Sequence, residues 1–243
     1  MKIPTISQMV DENTVAYWPF DGNNTDYVGG GGSWRRSIGF NYYYLSDIQR
    51  YAACVLDSNN FSLGSTIYNN INSTIDCIFR SDPSFGSNNA TYNFILGFGK
   101  TPYDTSQDYN VRDPYITSNL NIYHNFIDLS QANGDRVFVK YYTNLKDGNY
   151  HHYACTIENN SLFKVYLDGK KILEYTRSIG SDSIFAIYIQ ANWNGTVPSV
   201  CILNYRVSKG LRWTKDFEGQ TPMDDIRWTI KENNDNMYGV KKG

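Results

Sequence analysis

The chain has 243 residues, a net charge of −2, 41% hydrophobic content and 16% aromatic content, with 21 Tyr. So even a charge balance argues against nucleic acid or an anionic membrane as main partner, and no run approaches the ~18 apolar residues of a membrane span. The N-terminal "MKIPTISQMVDENT" has no apolar h-region, so no signal peptide is expected and the chain is taken as made in the cytoplasm without membrane insertion.

Periodicity favours β structure throughout. Helix formers are sparse, no segment sustains an i, i+3, i+4, i+7 apolar stripe, and Asn and Gly cluster in turns. In chain order, residues 1–12 form an arm before strands expected at Val15–Pro19, Ala52–Leu56, Thr74–Phe79, Phe94–Phe98 and Val137–Tyr142. Further strands are expected at His152–Ile157, Leu162–Leu167, Ile172–Thr176, Ile184–Gln190 and Val200–Val207, then one helical turn near Thr214–Phe217. Within "FKVYLDGKKILEY", Phe163, Val165 and Leu167 share one face, and Asp168-Gly169 is a hairpin turn signal. The stretch 101–133 lacks such regularity and reads as a long loop or irregular strands. Residues 13–222 carry the strand pattern, and 223–243 form a polar tail suited to attachment. Short strands spaced by turns imply two stacked antiparallel sheets.

Three stretches carry a family likeness: "VAYWPFDGNNTDYVGGG" from Val15, "YHHYACTIENNSLFKVYLDGKKI" from Tyr150, and "ILNYRVSKGLRWTKDFEGQTP" from Ile202. They resemble the opening strand, the central hairpin and the closing strand of laminin-G-like, concanavalin A-like jelly rolls, with Tyr150 where Trp is usual. The resemblance implies an all-β jelly-roll sandwich of two antiparallel sheets, in which Trp18, Phe20 and Trp213 plug the ends and Arg206 pairs with a carboxylate. The closing element Arg206-Val207-Ser208-Lys209-Gly210 looks most like versions in bacteriophage tail and head fibres.

Catalytic patterns are missing from the sequence. Related β-glucan-cleaving enzymes share an E-x-D-x-x-E strand, whereas the five glutamates here, at 12, 158, 174, 218 and 232, begin no such motif. "GFGKT" at Gly97–Thr101 has Phe94 where a phosphate loop needs Gly. Adjacent His151 and His152 point to opposite faces of a strand, one inward and one at the surface, and His124 is the third histidine. Cys54, Cys77, Cys155 and Cys201 lie in strand-like runs without C-x-x-C, which reads as buried free thiols, with a disulfide as the alternative under oxidising conditions.

Two ligand classes fit the remaining residues. Trp193 between Asn192 and Asn194, with Tyr103, Tyr109 and the "NYYY" run Asn41–Tyr44, offers aromatic faces and amides for a sugar. Asp104, Asp108 and Asp113 offer oxygens for calcium, which some laminin-G-like domains bind; no other cofactor is expected. The expected function is a non-enzymatic phage virion protein: a tail fibre, capsid decoration or adhesion component on the virion surface. It would contact other virion proteins and sister copies in a homo-oligomer, and bind host surface carbohydrate during host attachment. The alternatives are a cellular carbohydrate-binding module or lectin without a virion role, and a glycoside-cleaving enzyme.

Overall fold

The computed structural model describes residues 9–30, 41–55, 60–62, 72–80, 97–99, 119–122, 126–130, 137–143, 145, 147–176, 186–190 and 200–213. Their elements are the strands β1 Thr14–Trp18, β2 Asn41–Leu45, β3 Arg50–Val55, β4 Asn60–Ser62, β5 Ser73–Arg80, β6 Gly97–Gly99 and β7 Asn119–Ile122. They continue with β8 Phe126–Ser130, β9 Val137–Tyr142, β10 Tyr150–Glu158, β11 Leu162–Leu167, β12 Lys170–Thr176, β13 Ala186–Gln190 and β14 Val200–Lys209. The fold is the expected concanavalin A-like jelly-roll sandwich of antiparallel sheets. One large sheet runs β12-β11-β10-β5-β14-β3-β2, with β1 also paired to β14. Two further sheets have three strands each, β4-β13-β6 and β7-β8-β9.

Four strands lie outside the expected set. β2 was hidden because three consecutive tyrosines show no alternation, and β4 is only three residues long. β7 and β8 pair antiparallel, so the stretch read as loop or irregular strand contains strands at Asn119–Ile122 and Phe126–Ser130. The expected helical turn at Thr214–Phe217 and the tail 223–243 lie outside the described residues.

The large sheet has two unlike faces. Ile75, Cys77 and Phe79 of β5, Tyr153, Cys155 and Ile157 of β10, and Phe163, Val165 and Leu167 of β11 enter the main core with Trp18 and Phe20. This is the alternation expected of a half-apolar strand. The other face is polar yet covered: Thr74, Asp76, His152, Arg206, Ser208 and Arg212 are all buried there. Trp213 caps it against Ala154 and Tyr166, so it packs on the back of the sheet, away from the cluster that holds Trp18 and Phe20.

Buried charges need partners. Arg206 Nε donates to Asp76 at 2.9 Å and Arg206 also donates to the Met9 carbonyl at 2.7 Å. Arg212 donates to both carboxylate oxygens of Asp11, at 2.9 and 2.6 Å. These bonds strap the segment before β1 and the segment after β14 across the polar face. The expected carboxylate partner of Arg206 is therefore Asp76, on the neighbouring strand.

The Asp168-Gly169 turn closes β11 on β12 with φ of 49° and 85°. Positive φ at both central residues is the type I′ geometry that suits twisted strands. The free-thiol expectation holds for Cys77 and Cys155, which are buried and unbonded. It fails for Cys201, which is disulfide-bonded. Cys54 faces Cys201 across the β3–β14 ladder.

Candidate functional site

The expected sugar-binding residues Trp193, Asn192, Asn194, Tyr103 and Tyr109, and the expected calcium aspartates Asp104, Asp108 and Asp113, lie outside the described residues. Among the described residues no cluster of His, Cys, Asp and Glu is arranged to hold a metal ion. The "NYYY" run Asn41–Tyr44 does lie on a described strand, β2, and a surface of the required chemistry forms beside it.

That surface begins with a gap in the sheet. β1 pairs with Tyr205–Ser208 of β14, whereas β3 pairs with Val200–Ile202, so two strands share one side of β14. Between them the Arg50 side chain fills the break, donating to the carbonyls of Pro19 at 2.8 Å and Leu203 at 3.4 Å. Buried carbonyls left by the interrupted ladder are thereby satisfied. The chain leaving β1 turns sharply here: Phe20 is buried at φ 52°, and Gly22 has φ 78°. The turn presents Asp21, whose Oδ1 accepts the Tyr51 amide N–H at 3.0 Å.

Tyr51 and Tyr44 face each other across the β2–β3 ladder. They lie two residues beyond the Tyr42–Ala53 pair, which packs on the main core, and so extend the core-facing surface past its edge. Their rings meet edge to face at 5.2 Å, yet 55% of Tyr44 and 44% of Tyr51 remain exposed. A Cβ placed on Gly22 would sit 3.9 Å from Tyr51 Cδ2, so the turn lies directly beside the ring. In the same turn Asn23 Oδ1 accepts the Thr25 N–H at 2.9 Å, and its Nδ2 donates to the Asp21 carbonyl at 3.5 Å.

The hairpin carrying the tyrosines is pinned from behind. Asp47, in the β2–β3 turn, accepts from Arg80 at 3.1 Å and from the Tyr150 hydroxyl at 3.0 Å. Burial pushes the Tyr150 phenol up to about 12, so it stays a donor. The result is an aromatic ledge beside the turn that carries the Asp21 carboxylate. Flat ring faces can stack on the apolar side of a sugar ring, and the polar margin can bind hydroxyls.

Another polar cluster has a different character. His151 Nδ1 contacts Asp168 at 2.8 Å and its Nε2 contacts Asp147 at 3.1 Å. Asp168 also accepts the His152 N–H at 2.8 Å. Burial opposes the charge on His151, but Asp168 and then Asp147 outweigh it and raise its pKa. The imidazole thus ties the loop before β10 to the β11–β12 turn. Contrary to the expected surface position, its side chain is only 11% exposed. Asp147 and Asp168 both contact the one imidazole ring, and Asp168 also holds the His152 N–H.

Sequence reasoning noted the Phe20-Asp21-Gly22 turn as architecture and missed its part in this ledge. Asp21 and Tyr51 are thirty positions apart, and no local pattern links them.

No protein-family model matches the chain, and no curated protein matches it in sequence. Solved structures do match. Domain 4 of AbnA, a GH43 extracellular arabinanase from Geobacillus stearothermophilus, in complex with arabinotriose, is 14% identical over 82% of this chain and 93% of that chain, with a TM-score of 0.56. The Emp46p carbohydrate recognition domain is 15% identical over 83% and 100%, with a TM-score of 0.58. The binding domain of botulinum neurotoxin serotype D is 12% identical over 84% and 50%, with a TM-score of 0.56. At these identities the likeness shows the fold, a lectin-like β-sandwich, in agreement with the resemblance read from the sequence.

Proposed function

We propose that this chain is a non-catalytic carbohydrate-binding domain whose ledge of Tyr44, Tyr51, Asp21 and Asn23 contacts the sugar. The observation that carries this is the pair of half-exposed tyrosines set beside a polar turn. The company of the fold supports it: one similar structure is a carbohydrate recognition domain and another is a complex with arabinotriose. Function belongs to sites and not to folds, so the ledge is what needs testing. On a glycan array the wild type binds at least one glycan, and Tyr51→Ala weakens that binding roughly tenfold, as expected for one lost aromatic face. Absence of binding by the wild type, or equal binding by Tyr51→Ala, overturns the assignment.

A setting on a phage particle is a narrower proposal, favoured by the likeness of Arg206–Gly210 to fibre proteins. The roles of Arg206 and Ser208 in this element are internal, toward Asp76 and Arg212, so the element speaks mainly for fold. Mass spectrometry of purified virions tests it: the chain among the particle proteins supports the setting, and its absence rejects it.

A further inference from the structure

The fold uses only half of the Asp21 carboxylate. Oδ1 accepts the Tyr51 N–H at 3.0 Å, but among the described residues no group donates to Oδ2, and 47% of the side chain is exposed. Arg50 is the cation beside it, with Nε 3.9 Å from Oδ2, beyond hydrogen-bond length. Its guanidinium is drawn into the sheet break, where it donates to the carbonyls of Pro19 and Leu203. Only 11% of the Arg50 side chain meets water, so it steadies the carboxylate without covering it. The neighbouring carboxylates serve the fold instead. Asp26 accepts the N–H groups of Tyr17 and Val28, and Asp47 accepts from Arg80 and Tyr150.

We infer that Asp21 makes the ledge selective for uncharged sugars and turns acidic ones away, which rests on the reading of the ledge as a sugar site. An ionised carboxylate only accepts hydrogen bonds. A hydroxyl of a neutral sugar can donate to Oδ2 while the sugar ring stacks on Tyr51, because the Asp21–Tyr51 bond holds the two together. Hydrogen bonds to a charged acceptor are the stronger kind. The carboxylate of a uronate or a sialate has no hydrogen to give at that place. It also brings a like charge to an anion that the stacked ring partly shields from water. Both oxygens then lose solvent without gaining a partner. Such a site selects by repulsion as well as by attraction.

Asp21→Asn isolates the charge. The amide oxygen keeps the bond to the Tyr51 N–H, and the amide nitrogen takes the place of Oδ2 with nearly the same shape. That nitrogen donates, so it offers an acidic sugar a partner where the wild type offers repulsion.

Binding of the full chain to matched oligosaccharides tests the inference. The probes are oligomers of glucose, galactose and mannose beside the uronate oligomers of the same sugars. The wild type binds at least one neutral series and binds its uronate match about tenfold or more weakly. Asp21→Asn narrows that ratio to about threefold or less, weakening the neutral form and strengthening the uronate. Tyr51→Ala weakens both forms and leaves their ratio unchanged. Raising salt from ~0.02 M to ~1 M also narrows the wild-type ratio, because exposed like charges are screened. This arm needs no variant. Uronate binding equal to or stronger than neutral binding overturns the inference and leaves the sugar site standing. So does a ratio unmoved by salt, or unmoved by an Asp21→Asn variant that is folded by circular dichroism. A wild type that binds none of the oligomers overturns both readings together.

Discussion

The guanidinium of Arg206 meets the carboxylate of Asp76 at 2.9 Å between adjacent strands, with both side chains almost wholly out of water. Burial opposes ionisation of Asp76, but Arg206 and then His152 outweigh it and hold its pKa below the usual carboxylate value. Removing one member leaves a buried charge unpaired, which costs about 3–5 kcal/mol. Asp76→Ala should lose that much in urea denaturation, and should also loosen the segment around Met9, whose carbonyl Arg206 holds. A loss under 1 kcal/mol would show that water reaches Arg206.

The adjacent histidines should pull stability in opposite directions with pH. His151 has a raised pKa, so its contribution is complete below the ordinary histidine value and is lost as pH rises through the folded value. His152 is driven down by burial, which Asp76 only partly offsets. Its unfolded form takes a proton that the folded form refuses, so stability falls as pH drops below the ordinary value. Each slope is at most about 1.4 kcal/mol per pH unit. Relative to wild type, His151→Gln should shift the stability–pH slope upward and His152→Gln should shift it downward. Slopes that change in the same direction for both variants would contradict the assigned charge states.

Gly30 lies against the irregularity of β1 at Val15. A Cβ there would fall 2.2 Å from the Val15 carbonyl oxygen and 3.2 Å from Val15 Cγ1. The nearer obstacle is backbone, which cannot swing aside as a side-chain tip can. Gly30→Ala should therefore cost about 1–3 kcal/mol, the range for forced overpacking. A thermal midpoint equal to that of wild type would mean that the 26–30 segment moves away from β1 without penalty.

The thiols divide by environment. Cys77 and Cys155 are buried, and burial raises both pKa values, so neither offers a reactive thiolate. Alkylation of the native, unreduced protein should label no cysteine, and alkylation after unfolding without reductant should label only those two. Reduction should then expose the remainder and lower stability by about 2–4 kcal/mol. Four labels on the unfolded, unreduced chain would show that the disulfide at Cys201 does not form.

Much of the architecture could be read locally. Strand β9 and strand β11 match their expected bounds, because alternation and turn residues act over a few positions and need no distant partner. Asp168-Gly169 encodes its own turn for the same reason. Strand β14 shows where this stops. Ile202, Tyr205 and Val207 all face the core although strict alternation would separate Ile202 from the other two. A bulge between Ile202 and Asn204 shifts the phase, and the Asn204 side chain accepts the Ile78 N–H at 2.9 Å at that point.

The amino-acid sequence by itself determined the β class, most strand positions and the central hairpin, and the family resemblance added a carboxylate beside Arg206. Only the tertiary structure decided that this carboxylate is Asp76, that the back of the sheet buries charge, and that Asp21 meets Tyr51 beneath an aromatic pair. Strand formation is governed by neighbours in the chain. Partners across sheets and gaps depend on register and closure, which bring together residues that no short-range pattern connects.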